Sequence, residues 1–372
     1  MKDSEQGNNK RSGYIYVLII IICLWICMVF VVNRKSEEKE NDVLTELSTE
    51  TSEEITSKEE MTSVEETESE KTESEELTSE ETTLEDTVSE VETTEDSKKS
   101  DYEDKISALI PSQLTPKKEV KIGLVDSGIS TAAIAEESVL KGYNYITNND
   151  LTDDSYNHGT KSAAIILRYA PEVKLVPLVC VGYHKGELTQ VDNDCMARII
   201  KDAIDIYDCD VICVVAGILE DSEALKASVK YAEEKGRVVV APVGNSNEEA
   251  PDNIYYPAAY DTVIGVGSLD TTLNQVAEFS QRGKAVNILA PGILHAPLMS
   301  GREDIEIGTS VSCAVVAGAA ARLKEQAPET GAEVVRDILY TTADDMEEAG
   351  YDENTGWGAL NLKKALSKMM TE

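Results

Sequence analysis

Histidine is scarce in this chain. There are three in 372 residues, at positions 158, 184 and 295, so the search for a general base that titrates near neutrality is short. Cysteine is present without a pattern. Of the seven, Cys23 and Cys27 fall in an apolar run, and Cys180, Cys195, Cys209, Cys213 and Cys313 follow in the C-terminal part. An odd set in that part argues against a dense disulfide framework, and Cys180, Cys209 and Cys213 sit in or beside strand-like runs as small buried hydrophobes. No CxxC or Cys/His spacing points to a metal, and no cofactor is expected. Positive charge is short as well, at 34 Lys and Arg against 70 Asp and Glu with a formal net of −36. A partner recognised by its phosphate backbone needs the opposite balance, so no nucleic acid is expected. Two blocks are defined by what they omit. Residues 12–33, SGYIYVLIIIICLWICMVFVVN, carry no charge. Residues 36–100 contain no Gly, no Pro and no aromatic residue, and hold 25 Asp and Glu against 5 Lys.

These omissions set the domain organisation. Residues 1–11 form a short polar tail. Residues 12–33, bracketed by Lys10-Arg11 and Arg34-Lys35, are long enough to cross about 30 Å of hydrocarbon as a helix. The run ends VFVVNRK, without the small-residue site at which a signal peptide is cut. The sequence therefore predicts an uncleaved, single-pass membrane anchor at 12–33. Basic residues are balanced across it, and the long part behind a single N-terminal span is expected on the extracytoplasmic side of the cell membrane. Residues 34–100 read as an acidic, Ser/Thr/Glu-rich disordered linker, self-repelling and with too little apolar surface to offset the entropy of folding. An acidic binding tail or a glycosylated Ser/Thr stalk is the alternative. Residues 101–372 read as one globular domain of a size that buries a proper core.

Within that domain, Val/Ile-rich runs at 120–125 (VKIGLV), 173–179 (VKLVPLV), 210–216 (DVICVVA), 237–243 (RVVVAPV) and 262–268 (TVIGVGS) read as strands buried on both faces. Stretches at helical spacing lie between them, such as CMARIIKDAIDIY (195–207) and SEALKASVKYAEEKG (222–236). Strands alternating with helices predict an α/β fold with a mainly parallel central sheet between helical layers. Ligands in such sheets bind beyond the carboxyl ends of the strands, where this sequence has Asp126-Ser127-Gly128, Ala216-Gly217 and Gly244-Asn245.

His184 lies in a Gly-bracketed loop and His295 among apolar residues. His158 stands where a polar Asp/Asn-rich loop meets an Ala/Ile-rich helical run, so its ring is free to project from a helix N-terminus into a cleft. An isolated histidine there is more simply a packed one. Asp126 directly follows an apolar strand, where a carboxylate is costly to bury unless it meets a donor such as an imidazole N–H; a turn or cap aspartate is the plainer reading. Ser310 follows Gly308-Thr309 and leads the run VSCAVVAGAAARL. A helix N-terminus stabilises negative charge, and also accommodates an ordinary capping serine.

The phrases VDSGI, NHGT and GTS, in the order Asp126, His158, Ser310, resemble the subtilisin-like serine peptidases, whose triad has that chain order. The similarity runs over about residues 118–368 and includes DVICVVAGILEDSEALKASVKYAEEKGRVVVAPVGN, YYPAAYDTVIGVGSLD and ILAPGI. It implies the three-layer subtilisin-like fold and a serine endopeptidase acting on a peptide or protein substrate. It further implies that Ser310 is the nucleophile, His158 the base, Asp126 its orienting acid and Asn245 an oxyanion donor. By the same resemblance Val215, Ala216 and Gly217 lie beside an extended substrate. Pro242, Val243 and Gly244 wall the pocket for the residue before the scissile bond, and Tyr256-Pro257 falls where the family has a cis bond. The sequence departs from the family at Ala314 and Val315, which stand where a Pro and a His are usual. It is also shorter after His158, where the loop that holds calcium in some members is missing, so no metal is expected. Residues 36–100 lack the pattern of a folding prodomain. These departures motivate the alternative of an inactive peptide-binding module on the same fold. Glu248, Glu249 and Asp252 fall near the expected pocket mouth, as selectors of a basic residue or simply as solvated acids.

Overall fold

The computed structural model describes residues 102–371. The expected tail, membrane anchor and acidic linker (1–11, 12–33 and 34–100) lie outside these residues, among which no helix is long and apolar enough to cross a membrane.

Seven strands form the central sheet: β1 (Lys121–Asp126), β2 (Tyr143–Asn144), β3 (Lys174–Val179), β6 (Val211–Val214), β7 (Val238–Pro242), β8 (Val263–Leu269) and β9 (Ile288–Pro291). Their order is β2-β3-β1-β6-β7-β8-β9 and every neighbouring pair is parallel. The strands are continuous apolar runs because both faces are covered, and successive side chains serve opposite cores. Ile122, Leu124, Val211, Cys213, Val238 and Val240 join one cluster. Val125, Ile212, Val214, Val239 and Ala241 join the other. Two antiparallel hairpins, β4 (Val181–His184) with β5 (Glu187–Gln190) and β10 (Ile293–Pro297) with β11 (Glu303–Ile307), stand outside the sheet.

Helices α2 (Asn193–Asp205) and α3 (Glu223–Glu234) cover one face, and α1 (His158–Tyr169), α4 (Thr309–Gln326), α5 (Ala332–Thr341) and α6 (Leu362–Met369) the other. This is the expected α/β arrangement of helical layers about a mainly parallel sheet. Asp192 caps α2 by accepting from Cys195 N, and Ser222 caps α3 by accepting from Leu225 N. Helix α4 runs through the middle of its layer, and all of its residues are buried. A helix buried all round needs no amphipathic stripe, which is why its sequence is smooth in Ala, Val and Gly. It runs unbroken through Ala314 and Val315, both wholly buried. At Gly318 a Cβ would come within 2.9 Å of Tyr169 Cβ on α1, so the two helices approach as closely as a glycine allows.

The polar end of α4 ties down the segment before β1. Residues 102–109 are helical, with Ile106 fully buried. Arg322 donates to Tyr169 O at 3.1 Å and Ser112 O at 3.2 Å, and Lys117 N donates to Glu325 O at 2.9 Å. Arg322 and Glu325 face each other at 3.6 Å with both side chains 2% exposed.

From β1 the chain winds through α1 to β3 on one side, and from β6 through α3 to β7 on the other. The winding reverses between β1 and β6, and a crevice opens there at the carboxyl edge of the sheet. The run expected as a strand over 210–216 leaves the ladder after Val214 at this crevice. Its last internal links are Val215 N to Val125 O at 3.2 Å and a pair of bonds between Ile218 and Tyr256. The Tyr256–Pro257 bond is cis, as the resemblance implied.

Candidate active site

The crevice collects one residue from each of several strand and helix ends. Asp126 closes β1 and is wholly buried. His158 is the first residue of α1, and Ser310 the second of α4. His158 Nδ1 lies 2.9 and 3.0 Å from the two Asp126 carboxylate oxygens, and Nε2 lies 3.1 Å from Ser310 Oγ. The three sequence-predicted residues, far apart in the chain, thus form one continuous row.

Each member is held by its neighbours, and of these Asp154 was not singled out by the sequence. Asp126 Oδ1 accepts from Ser127 N at 2.6 Å. Ser127 Oγ accepts from Gly159 N and donates to Asp154. The Asp154 carboxylate also accepts from the N–H groups of Tyr156, Asn157 and Thr160 and from Thr160 Oγ. Ser127 and Asp154 together satisfy the Gly159 and Thr160 amides in the first turn of α1, taking the part of a local cap, since Asn157 makes no such bond. Asn157 itself has φ 68°, a conformation Asn tolerates, and its Oδ1 accepts from Met299 N at 2.8 Å. One turn on, Lys161 reaches Asp304 at 2.9 Å and Glu306 at 2.6 Å on β11. The hairpin β10–β11 is therefore fastened beside His158.

The start of α4 is open. Gly308 has φ 149°, and a Cβ there would sit 3.1 Å from Asn245 Nδ2 and 3.3 Å from Ser310 Oγ. Thr309 N donates to Asn245 Oδ1 at 2.8 Å, as does Thr309 Oγ, while Val311 N donates to Gly308 O. The Ser310 N–H between them is given to neither. With Oδ1 of Asn245 engaged, the Nδ2 of that amide is the group left toward the crevice. The site therefore offers two N–H donors beside a hydroxyl and an imidazole.

Burial opposes charge on His158, but the Asp126 carboxylate outweighs it by charge and hydrogen bond, with Glu306 and Asp154 adding. The net effect raises the imidazole from 6.5 to about 9. Tyr156 stacks on the ring at 6.5 Å, with Tyr183 edge-on to Tyr156 at 5.9 Å.

A cleft of about 340 Å³ runs from His158 and Ser310 past Asn245. Val215, Gly217, Pro242 and Gly244 line it, together with Tyr255, which the sequence did not mark. Ala216 and Val243 alternate away: Val243 is 1% exposed in the core against α2 and α3, and Ala216 packs on the same cluster. Glu248, Glu249 and Asp252 are exposed and absent from the cleft wall, so they are solvated acids in this structure. His184 and His295 lie on the two hairpins and take no part. All five cysteines of the described residues are free. Cys213 and Cys313 face each other at 3.7 Å behind the site, buried, with burial holding the Cys313 thiol well above its ordinary range.

Comparison with known proteins gives one answer. The subtilase family matches residues 117–358. Subtilisin DY of Bacillus licheniformis is 32% identical over 257 residues, covering 66% of this chain and 90% of that protein. Subtilisin E of Bacillus subtilis (strain 168) is 30% identical over 259 residues, covering 66% and 65%. Among solved structures, fervidolysin from Fervidobacterium pennivorans, described as a keratinolytic enzyme related to subtilisin, superposes with a TM-score of 0.63 at 27% identity, over 70% of this chain and 45% of that one.

Proposed function

Because the chain belongs to the subtilase family of serine endopeptidases, we propose that Asp126, His158 and Ser310 perform its hydrolysis, with Asn245 as an oxyanion donor. One observation carries this reading: a single imidazole bridges a buried carboxylate at 2.9 Å and a helix-terminal hydroxyl at 3.1 Å. Both distances are within hydrogen-bond reach, as the chemistry requires. Ser310 Oγ attacks the peptide carbonyl while His158 Nε2 takes its proton. The negative oxygen that forms is met by Asn245 Nδ2 and the Ser310 N–H. His158 then passes the proton to the leaving amine, and water releases the acyl group by the same steps in reverse order. Asp126 keeps Nδ1 protonated and balances the imidazolium. The substrate lies extended beside Val215, Ala216 and Gly217, with the residue before the cut directed between that segment and Pro242, Val243 and Gly244. The unbroken α4 and the Ser310–His158 distance favour catalysis over an inactive peptide-binding module.

The apolar run at 12–33 and the acidic segment at 34–100 support a further reading, in which the peptidase is tethered to a membrane and held away from it by a charged spacer on the extracytoplasmic side.

The test of the chemistry is labelling of the full chain, in detergent, by a fluorophosphonate. Labelling is expected in the wild type and lost in Ser310→Ala and His158→Ala. Equal labelling of all three, or none of the wild type, removes the catalytic assignment. For the tether, protease added to intact cells is expected to cut within 34–100; full protection would place the domain on the other side.

A further inference from the structure

The slot between the two backbone walls of the cleft is not empty. A Cβ built on Gly217 would lie 2.9 Å from Tyr255 Cδ1, and one built on Gly244 would lie 2.3 Å from both Cδ2 and Cε2. Cδ1 and Cδ2 are opposite edges of one ring. Ordinary carbon–carbon contact is about 3.5–4.0 Å, so the ring spans the slot and touches both walls at the two positions where only glycine leaves it room. Tyr255 also lines the same cleft as His158 and Ser310.

The ring is anchored in place. Its hydroxyl is 3.0 Å from Ser246 Oγ, which in turn meets Asn253 Nδ2 at 3.3 Å and Gln281 Oε1 at 3.4 Å. Gln281 is 2% exposed, and its amide donates to the carbonyls of Ala250, Pro251 and Asn253. On the backbone, the adjoining Tyr256 pairs with Ile218 in both directions. Moving the ring aside would break the hydroxyl bond to Ser246.

We propose that Tyr255 closes the pocket for the residue before the scissile bond and so restricts cleavage to sites with Gly or Ala there. This rests on the catalytic reading of Ser310 and deepens it. A side chain directed between Gly217 and Gly244 meets the aromatic ring within the slot. A hydrogen or a methyl stops short of it, whereas a Leu or Phe side chain needs the volume that Tyr255 occupies. Overpacking of this kind is resisted because interiors are close-packed and their side chains sit in defined rotamers.

The experiment uses the full chain in detergent and a series of peptide anilides that differ only in the residue before the cut: Gly, Ala, Leu and Phe. Wild type is expected to favour Ala over Phe by about 100-fold in kcat/KM. Tyr255→Ala empties the slot and is expected to reverse that order, while Tyr255→Phe keeps the ring and the preference. Fluorophosphonate labelling of each variant reports an intact site independently of the peptide used. Equal use of Phe and Ala by the wild type overturns the inference, whatever the variants do, and so does a labelled Tyr255→Ala that keeps the wild-type order. A wild type that the fluorophosphonate does not label overturns the catalytic reading itself, and this inference with it.

Discussion

At the scale of single residues, the proposed mechanism makes the pH dependence of the reaction turn on His158. The base works deprotonated, and its ordinary value is raised to about 9 in the substrate-free site. On the acid side kcat/KM is therefore expected to fall about tenfold per pH unit, with a midpoint above that of an ordinary histidine. Asp126→Asn removes the main source of the shift, so the residual activity, lower by about 10⁴-fold, is expected to have a lower midpoint. A midpoint unmoved by the substitution would show that Asp126 does not set it. The linked effect on folding has a definite sign. A histidine raised in the fold stabilises it fully below its unfolded value near 6.5 and ceases to do so as pH rises through about 9. Asp126, His158 and Ser310 were legible in the sequence because each occupies a place with a local signature: a strand end, a loop-to-helix junction, a glycine-led helix start. Thr309, Asp154 and Tyr255 were not. Thr309 acts by holding Asn245, 64 positions away, Asp154 by joining Ser127, 27 away, and Tyr255 by standing between two glycines that only the fold brings together.

At the scale of elements, the strands and covering helices could be read because both faces of the parallel sheet are covered, which leaves unbroken apolar runs between amphipathic ones. The two hairpins could not. The alternation EDIEI of β11 carries three acids and no apolar face toward a core, and the strand is held by its docking on α1 rather than by its own pattern. That docking gives a test. Lys161 is 9% exposed and paired with Asp304 and Glu306, and the Glu306 charge also reaches His158. Replacing Lys161 with Met leaves Glu306 uncompensated near the imidazole, so the pH midpoint of kcat/KM is expected to rise, and in Glu306→Gln to fall. Shifts in the same direction for both variants would exclude the electrostatic account. The hairpin would then matter only as a mechanical support.

At the scale of the whole molecule, the seam between α4 and the segment at 102–117 holds a carboxyl whose charge burial opposes. Burial raises the Glu325 carboxyl from 4.5 to about 7, against the lowering effect of Arg322. A carboxyl raised in the fold is bound more tightly to its proton there than in the unfolded chain, so its contribution is full below about 4.5 and lost as pH rises through about 7. In Glu325→Gln that dependence disappears, while Arg322 keeps its two carbonyl acceptors. The gap in unfolding free energy between variant and wild type is therefore expected to move in the variant's favour by on the order of 3 kcal/mol between pH 4.5 and 7, and to level off above. A gap that does not change with pH would mean that Glu325 ionises in the fold as it does in water.

Helix α4 has one more consequence. In the proposed mechanism the nucleophile Ser310 sits at the start of a helix whose residues are all buried, so its backbone position is set by the packing of the sheet against that helical layer. Hydrogen exchange of the amides beyond the first turn of α4 is therefore expected to be slow beside that of loops and frayed ends. On the catalytic reading of Ser310, the reactive group then persists as long as the packing of α4 does.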